Sequence, residues 1–136
     1  MDEAKEEPQD HVRLTVLVIE DDADVAAVTA AQLEEFGHVV RVTRSATEAL
    51  QLLRSRAAFD AVFSDIVLPG EMGGFQPARA IRAEFPDIPV LLMTGYSATY
   101  EVAQIRQFET IAKPFDAATV AARLAQLIGA WPAGRN

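Results

Sequence analysis

The chain contains no cysteine, which excludes disulfides and thiolate metal sites alike. No apolar run approaches the roughly 20 residues that a membrane-crossing helix needs. The first ten residues, M-D-E-A-K-E-E-P-Q-D, are acidic and lack an apolar core, so they do not read as a secretory signal. These absences together lead us to expect a cytoplasmic protein without a membrane partner. An excess of positive charge is missing too. The formal net charge is −8, whereas a nucleic-acid surface is basic, so no nucleic-acid partner is expected. No internal repeat or low-complexity tract is visible between the termini. What is present is 136 residues, half of them apolar, enough for one domain with one substantial core.

The hydrophobic pattern alternates between two kinds of segment. Thr15–Ile19 is a short continuous apolar run, the mark of a strand buried on both faces. Asp22 or Asp24 can cap the helix that follows, in which Val25, Val28, Leu33 and Phe36 recur at roughly helical spacing before Gly37. His38–Val42 is β-branched again. Ser45 opens a second helix carrying Ala46, Ala49, Leu50 and Leu53. Ala61–Phe63 is a third strand running into Ser64-Asp65, and Pro69-Gly70 and Gly73-Gly74 mark a long loop. A third helix extends to about Glu84; Pro77 is tolerated only in a first turn, which puts the helix start near Phe75. Val90–Met93 is a fourth strand ending at Thr94-Gly95. A weaker helix covers about Ala98 to Gln107. Thr110–Ala112 is a fifth strand before Lys113-Pro114, and Phe115–Ile128 is a last amphipathic helix. Five strands alternating with helices predict a parallel sheet covered on both faces.

In such sheets ligands bind beyond the carboxyl ends of the strands. Four of those ends carry chemistry: Glu20-Asp21, Asp65, Thr94-Gly95 and Lys113-Pro114. Three carboxylates on one rim repel each other unless a cation lies among them. Clustered carboxylates are a hard-oxygen site suited to Mg²⁺. An aspartate can also act as a nucleophile and hold phosphate as an acyl phosphate. Lys113 would add positive charge and Thr94 a hydrogen bond to a phosphoryl oxygen. The pattern reads as a place to put a phosphoryl group on an aspartate. Asp22 is better read as a helix cap, and His11 and His38 have no matching partners.

Four segments, V-L-V-I-E-D-D, F-S-D-I-V-L-P-G, L-L-M-T-G-Y-S and A-K-P-F, occur in this order and each at a strand end. They resemble the receiver domains of bacterial two-component response regulators, over about Leu14 to Ile128. The resemblance implies a flavodoxin-like, doubly wound (βα)5 fold with a five-stranded parallel sheet in the order 2-1-3-4-5. It implies Asp65 as phosphoacceptor, served by a sensor histidine kinase or a histidine phosphotransfer protein. It implies Mg²⁺ or Mn²⁺ held by Glu20, Asp21, Asp65 and the backbone carbonyl of Val67. Thr94 matches the switch hydroxyl and Lys113 the family lysine, with a cis bond to Pro114. Output is expected on the face made by the helix after Tyr96, the fifth strand and the last helix, through a downstream protein or a self-dimer, with Tyr100 and Phe108 as contacts. The layout expected is an acidic arm at 1–12, the receiver domain at 13–130 and a tail at 131–136.

The chain departs from the family pattern at two places that matter. Thr110 stands where an aromatic residue often moves on activation, which leaves the switch mechanism open to Phe108, Tyr96 or Tyr100, or to backbone movement alone. Val67 and Tyr96 occupy the positions that guard the approach of water, and neither can orient it, so self-dephosphorylation is expected to be slow. The expected role is therefore a phosphoacceptor rather than an enzyme. Two alternatives stand beside the stand-alone receiver. One is a receiver excised from a hybrid histidine kinase, which the P-G-E-M-G-G stretch resembles; Met1 and the acidic arm favour a complete small protein instead. The other is an aspartyl-nucleophile phosphohydrolase like the haloacid dehalogenases, which Val67 disfavours because that family has an acid two residues after its nucleophile.

Overall fold

The computed structural model describes residues 13–55, 57–65, 76–94, 108–112 and 115–130. Five strands, β1 (Thr15–Ile19), β2 (Val39–Thr43), β3 (Ala61–Asp65), β4 (Val90–Thr94) and β5 (Glu109–Ala112), form one sheet in the order β2-β1-β3-β4-β5. Every neighbouring pair is parallel. Four helices are described: α1 (Ala23–Glu35), α2 (Ala46–Arg54), α3 (Gln76–Glu84) and α4, the last (Ala117–Ala130). The expected helix over about Ala98 to Gln107, the arm at 1–12 and the tail at 131–136 lie outside the described residues.

The alternation of side chains along each strand builds two cores on one sheet. Leu17, Ile19, Val62, Val90 and Leu92 meet Ala49 and Leu53 of α2 and Ala78 and Ile81 of α3. Val16, Val18, Phe63, Leu91 and Met93 meet Leu33 of α1 and Val120, Leu124 and Leu127 of α4. Because both faces are covered, β1, β3 and β4 must be apolar at consecutive positions, and they are. The edge strand β2 departs from the expectation of two-sided burial: Val39, Arg41 and Val42 are exposed and only Thr43 is buried. With a single neighbouring strand among the described residues, β1, it has less to pack against.

Local sequence sets the ends of the helices. Asp22 caps α1, its Oδ1 accepting from the N–H groups of Asp24 (2.9 Å) and Val25 (3.1 Å). Gly37, at φ +88°, closes the same helix. Its N–H donates to the Glu34 carbonyl and that of His38 to the Leu33 carbonyl, the paired bonds of a left-handed glycine terminus. Ser45 caps α2 by accepting from the Glu48 N–H at 3.2 Å, while Glu48 reaches back to the Arg44 N–H at 2.9 Å, a close variant of the reciprocal capping box. α3 begins at Gln76, so Pro77 falls in its first turn as its fixed φ requires. α4 begins at Ala117, two residues after the expected start, because Asp116 takes the capping position and accepts from the Thr119 N–H at 2.7 Å.

Candidate functional site

The order β2-β1-β3 makes the chain cross from one side of β1 to the other, which opens a crevice at the carboxyl ends of β1 and β3. The register pairs Ile19 with Ser64. The next residues along these strands are therefore Glu20 and Asp65, set side by side by backbone pairing. Asp21 follows, before the cap of α1. One carboxylate oxygen from each of Glu20, Asp21 and Asp65 lies within 4.8 Å of the others. Glu20 is buried, at 2 % exposure, and Asp21 and Asp65 are half-buried.

The surroundings hold this cluster in place. The Glu20 N–H donates to the Thr43 carbonyl at 3.0 Å, continuing the β1–β2 ladder past the strand end. Glu20 Oε2 accepts from the Asp22 N–H at 3.3 Å. Arg44 Nη2 reaches the backbone carbonyl of Asp21 at 3.5 Å, and Ser64 Oγ donates to the Asp65 carbonyl at 2.9 Å. A buried glutamate beside two more carboxylates is costly to desolvate. The donor set, three hard anionic oxygens on one rim, fits a small divalent cation that keeps several waters.

Of the other residues expected here, Thr94 ends β4, with Met93 paired to Asp65 and Thr94 paired to Ala112. Its backbone thus stands on the same rim, one strand over from Asp65. Val67, Lys113, Pro114, Tyr96 and Tyr100 lie outside the described residues. Phe108 does not fit the role of a surface contact expected for it: it is buried at 6 % exposure and the Arg82 guanidinium stacks on its ring, 3.9 Å from the centroid. Burial and, less strongly, the like charge of Arg79 lower the pKa of Arg82, a cost that the aromatic face of Phe108 offsets in part. His38 is buried, and its Nδ1 accepts from the Leu14 N–H at 3.1 Å, a structural role at the foot of β1.

Two features were missed from the sequence. Phe115, just past Lys113-Pro114, packs on Phe63 of β3 with ring centroids 5.5 Å apart, which anchors the chain after the lysine to the strand that ends in Asp65. The phenylalanine after Lys-Pro carried that signal. The second is a groove of about 280 Å³ between α1 and β2, lined by Glu20, Ala23, Ala26, Ala27, Val42 and Arg44. It forms because alanines leave space beside the edge strand.

Comparison with known proteins now decides the family. Residues 16–125 match the family model of the response regulator receiver domain. This chain belongs to that family. It is 39 % identical over 105 residues to the response regulator protein FleR of Pseudomonas aeruginosa, a match covering 75 % of this chain and 22 % of FleR. It is 33 % identical over 109 residues to the transcriptional regulatory protein ZraR of Escherichia coli, covering 78 % of this chain and 24 % of ZraR. The chain thus spans about a quarter of the length of these relatives. Among solved structures, a response regulator receiver protein from Sinorhizobium medicae superposes with a TM-score of 0.74 at 26 % identity, covering 88 % of this chain and 98 % of that one. The flavodoxin-like sheet order expected of the family is the order observed.

Proposed function

We propose that this receiver accepts a phosphoryl group on Asp65 and uses it to change a binding surface. The observation that carries the proposal is the cluster of Glu20, Asp21 and Asp65 at the crevice between β1 and β3, in a chain matched to receivers over residues 16–125. A carboxylate oxygen of Asp65 attacks phosphorus, the P–N bond to a donor histidine breaks, and the histidine leaves with the bonding electron pair and takes up a proton. The donor is a sensor histidine kinase or a histidine phosphotransfer protein. Glu20, Asp21, Asp65 and the Val67 carbonyl would hold Mg²⁺ or Mn²⁺, whose charge offsets that of the carboxylates and the incoming phosphoryl group. Thr94 would donate to a phosphoryl oxygen and Lys113 would neutralise charge.

Residues 13–130 form the receiver unit in this reading, and its place of work is the cytoplasm. The output face in this reading includes β5 and α4, where Glu109 and Arg123 form an ion pair at 3.2 Å; the helix expected beside them lies outside the described residues. Receipt of phosphate makes this a signalling domain and not a phosphohydrolase; Val67, two residues past Asp65, supplies no acid for turnover. The name of ZraR speaks of transcriptional regulation, but three quarters of ZraR lies outside the match, so we assign no nucleic-acid contact to this chain. Excision from a longer kinase would leave the chemistry at Asp65 unchanged.

Incubation with a small-molecule phosphodonor and Mg²⁺ tests the proposal. One acid-stable, base-labile phosphoryl group should appear on Asp65, and none in the Asp65→Asn variant or without divalent metal. Stoichiometric labelling of the variant would refute the assignment.

A further inference from the structure

The register that sets Glu20 beside Asp65 also sets it beside Arg44. Ile19 pairs with Ser64 on one side and with Thr43 on the other, and the Glu20 N–H continues the second ladder to the Thr43 carbonyl at 3.0 Å. The carboxyl ends of β2, β1 and β3 therefore present Arg44, Glu20 and Asp65 in a row, a cation followed by carboxylates. The row shares one side of the sheet. Val18 pairs with Val42 and Phe63 and packs towards α1 and α4. Glu20, Arg44 and Asp65 each follow two residues after these, on the same side of the pleat. Glu20, Val42 and Arg44 accordingly line one groove beside α1.

The guanidinium of Arg44 reaches the backbone carbonyl of Asp21, with Nη2 at 3.5 Å, and not a carboxylate of the cluster. Its own backbone is fixed, because the Arg44 N–H donates to Glu48 Oε1 at 2.9 Å within the capping of α2. On the far side of Asp21, the Asp22 N–H donates to Glu20 Oε2 and the Asp22 side chain caps α1. Asp21 is thus the joint of the β1–α1 turn, and Arg44 holds the carbonyl of that joint. A contact to the backbone leaves the carboxylate oxygens to a cation, and groups that orient a ligand from outside raise its affinity. We propose that Arg44 is a positioning residue that presets the turn, so that the Asp21 carboxylate faces those of Glu20 and Asp65. This rests on the reading of the cluster as a divalent-cation site. The charge of Arg44 acts the other way, since a nearby positive charge repels a metal ion. The two effects have opposite signs and can be separated.

Isothermal titration calorimetry of Mg²⁺ into the full chain is the test. Arg44→Ala removes the hold and the charge together. It should weaken Mg²⁺ binding about three- to tenfold, at or below the low end of what losing a ligand-orienting neighbour costs, because the contact is long and exposed. Loss of charge alone would tighten binding instead. Arg44→Lys keeps the charge and a donor on a flexible stem, and should recover part of the affinity. Arg41→Ala is the charge control. Arg41 is exposed and pairs with Leu17, on the other side of the sheet, so its removal should leave Mg²⁺ binding native or slightly tighter. The Arg44 side chain is exposed, so the metal-free melting temperature of Arg44→Ala should change little, which keeps lost affinity apart from lost folding. An Arg44→Ala variant that binds Mg²⁺ as tightly as the native chain or tighter, an Arg44→Lys variant no better than Arg44→Ala, or an equal loss in Arg41→Ala would each overturn the proposal while the cluster stands. A native chain that binds no Mg²⁺, or an Asp21→Asn variant that binds it as the native chain does, would overturn the reading of the cluster and this proposal with it.

Discussion

Glu20 is the residue on which the site turns. It is buried, its Oε2 takes the Asp22 N–H, and it stands beside Asp65 because Ile19 pairs with Ser64. That Glu20, Asp21 and Asp65 come together could be raised from the sequence, because Asp65 ends β3, Glu20 and Asp21 directly follow β1, and parallel strands end on one rim. Asp22, with the same charge one position on, is a cap, and the difference is backbone direction: the chain turns into α1 at that residue. Phe108 was misjudged for a related reason. An aromatic near a strand start looks available for a partner, but the guanidinium of Arg82, invisible in linear sequence, covers its ring. The side chains that set the lifetime of the phosphoryl group belong to this scale as well. Val67 and Tyr96, matched by resemblance to the positions guarding the water path, offer neither a base nor a hydrogen-bond acceptor suited to orienting water. Loss of phosphate from Asp65 should therefore be slow, and replacing Val67 by Asn and Tyr96 by Glu should speed it by about tenfold or more. A native protein that sheds its phosphate within seconds, or a double variant with an unchanged rate, would contradict this.

Elements were legible to the extent that their signals are local. Runs such as V-L-V-I and V-L-L-M, short, rich in β-formers and bounded by turn or cap residues, read as strands of a covered sheet, and Ser45 with Glu48 marks a helix start by side-chain chemistry alone. The fifth strand extends one residue before its expected start, to Glu109, and the second strand is shifted to Val39–Thr43, because ladder pairing with a neighbour sets such limits. The exposure of β2 was not legible at all, since V-V-R-V reads the same at an edge as in a centre. The start of α4 depends on Asp116. Its carboxylate accepts from the backbone N–H of Thr119, and that bond, more than any other influence, holds the Asp116 pKa below the ordinary carboxylate value. The sign of the linkage follows. A depressed folded-state pKa contributes stability that is present above the unfolded-state pKa and is lost as pH falls through the folded-state pKa. Thermal melts of the native chain and Asp116→Ala should therefore differ most at neutral pH and converge in acid, while Asp116→Asn, which keeps a neutral cap, should show a gap that depends little on pH. Equal gaps for Asp116→Ala at neutral and strongly acid pH would show that the charge of the cap contributes nothing.

At the scale of the whole molecule, the sheet lies between two cores that are each dense with aliphatic side chains, while one rim concentrates negative charge in a chain that is already at −8. Folding brings Glu20, Asp21 and Asp65 within 4.8 Å of one another, a repulsion that an unfolded chain relaxes. A cation that binds only the folded cluster must then raise global stability by mass action. At tenfold excess over its Kd the gain is about 1.4 kcal/mol, and for a domain of this size that is a rise of several degrees in melting temperature. Na⁺ at matched ionic strength screens charge but cannot fill a divalent oxygen site, so it should give less. Asp21→Asn removes one of the clustered charges. The variant without metal should be at least as stable as the native chain, and most of the Mg²⁺-dependent rise should disappear. Differential scanning calorimetry across a Mg²⁺ series, with Na⁺ controls, reads both effects. An equal Mg²⁺ response in the native chain and the variant would mean that the cation acts elsewhere, and no response in the native chain would remove the metal from the site. The predicted pattern is an inverted order of stability: the variant level with or above the native chain without metal, and the native chain above the variant once Mg²⁺ saturates the cluster.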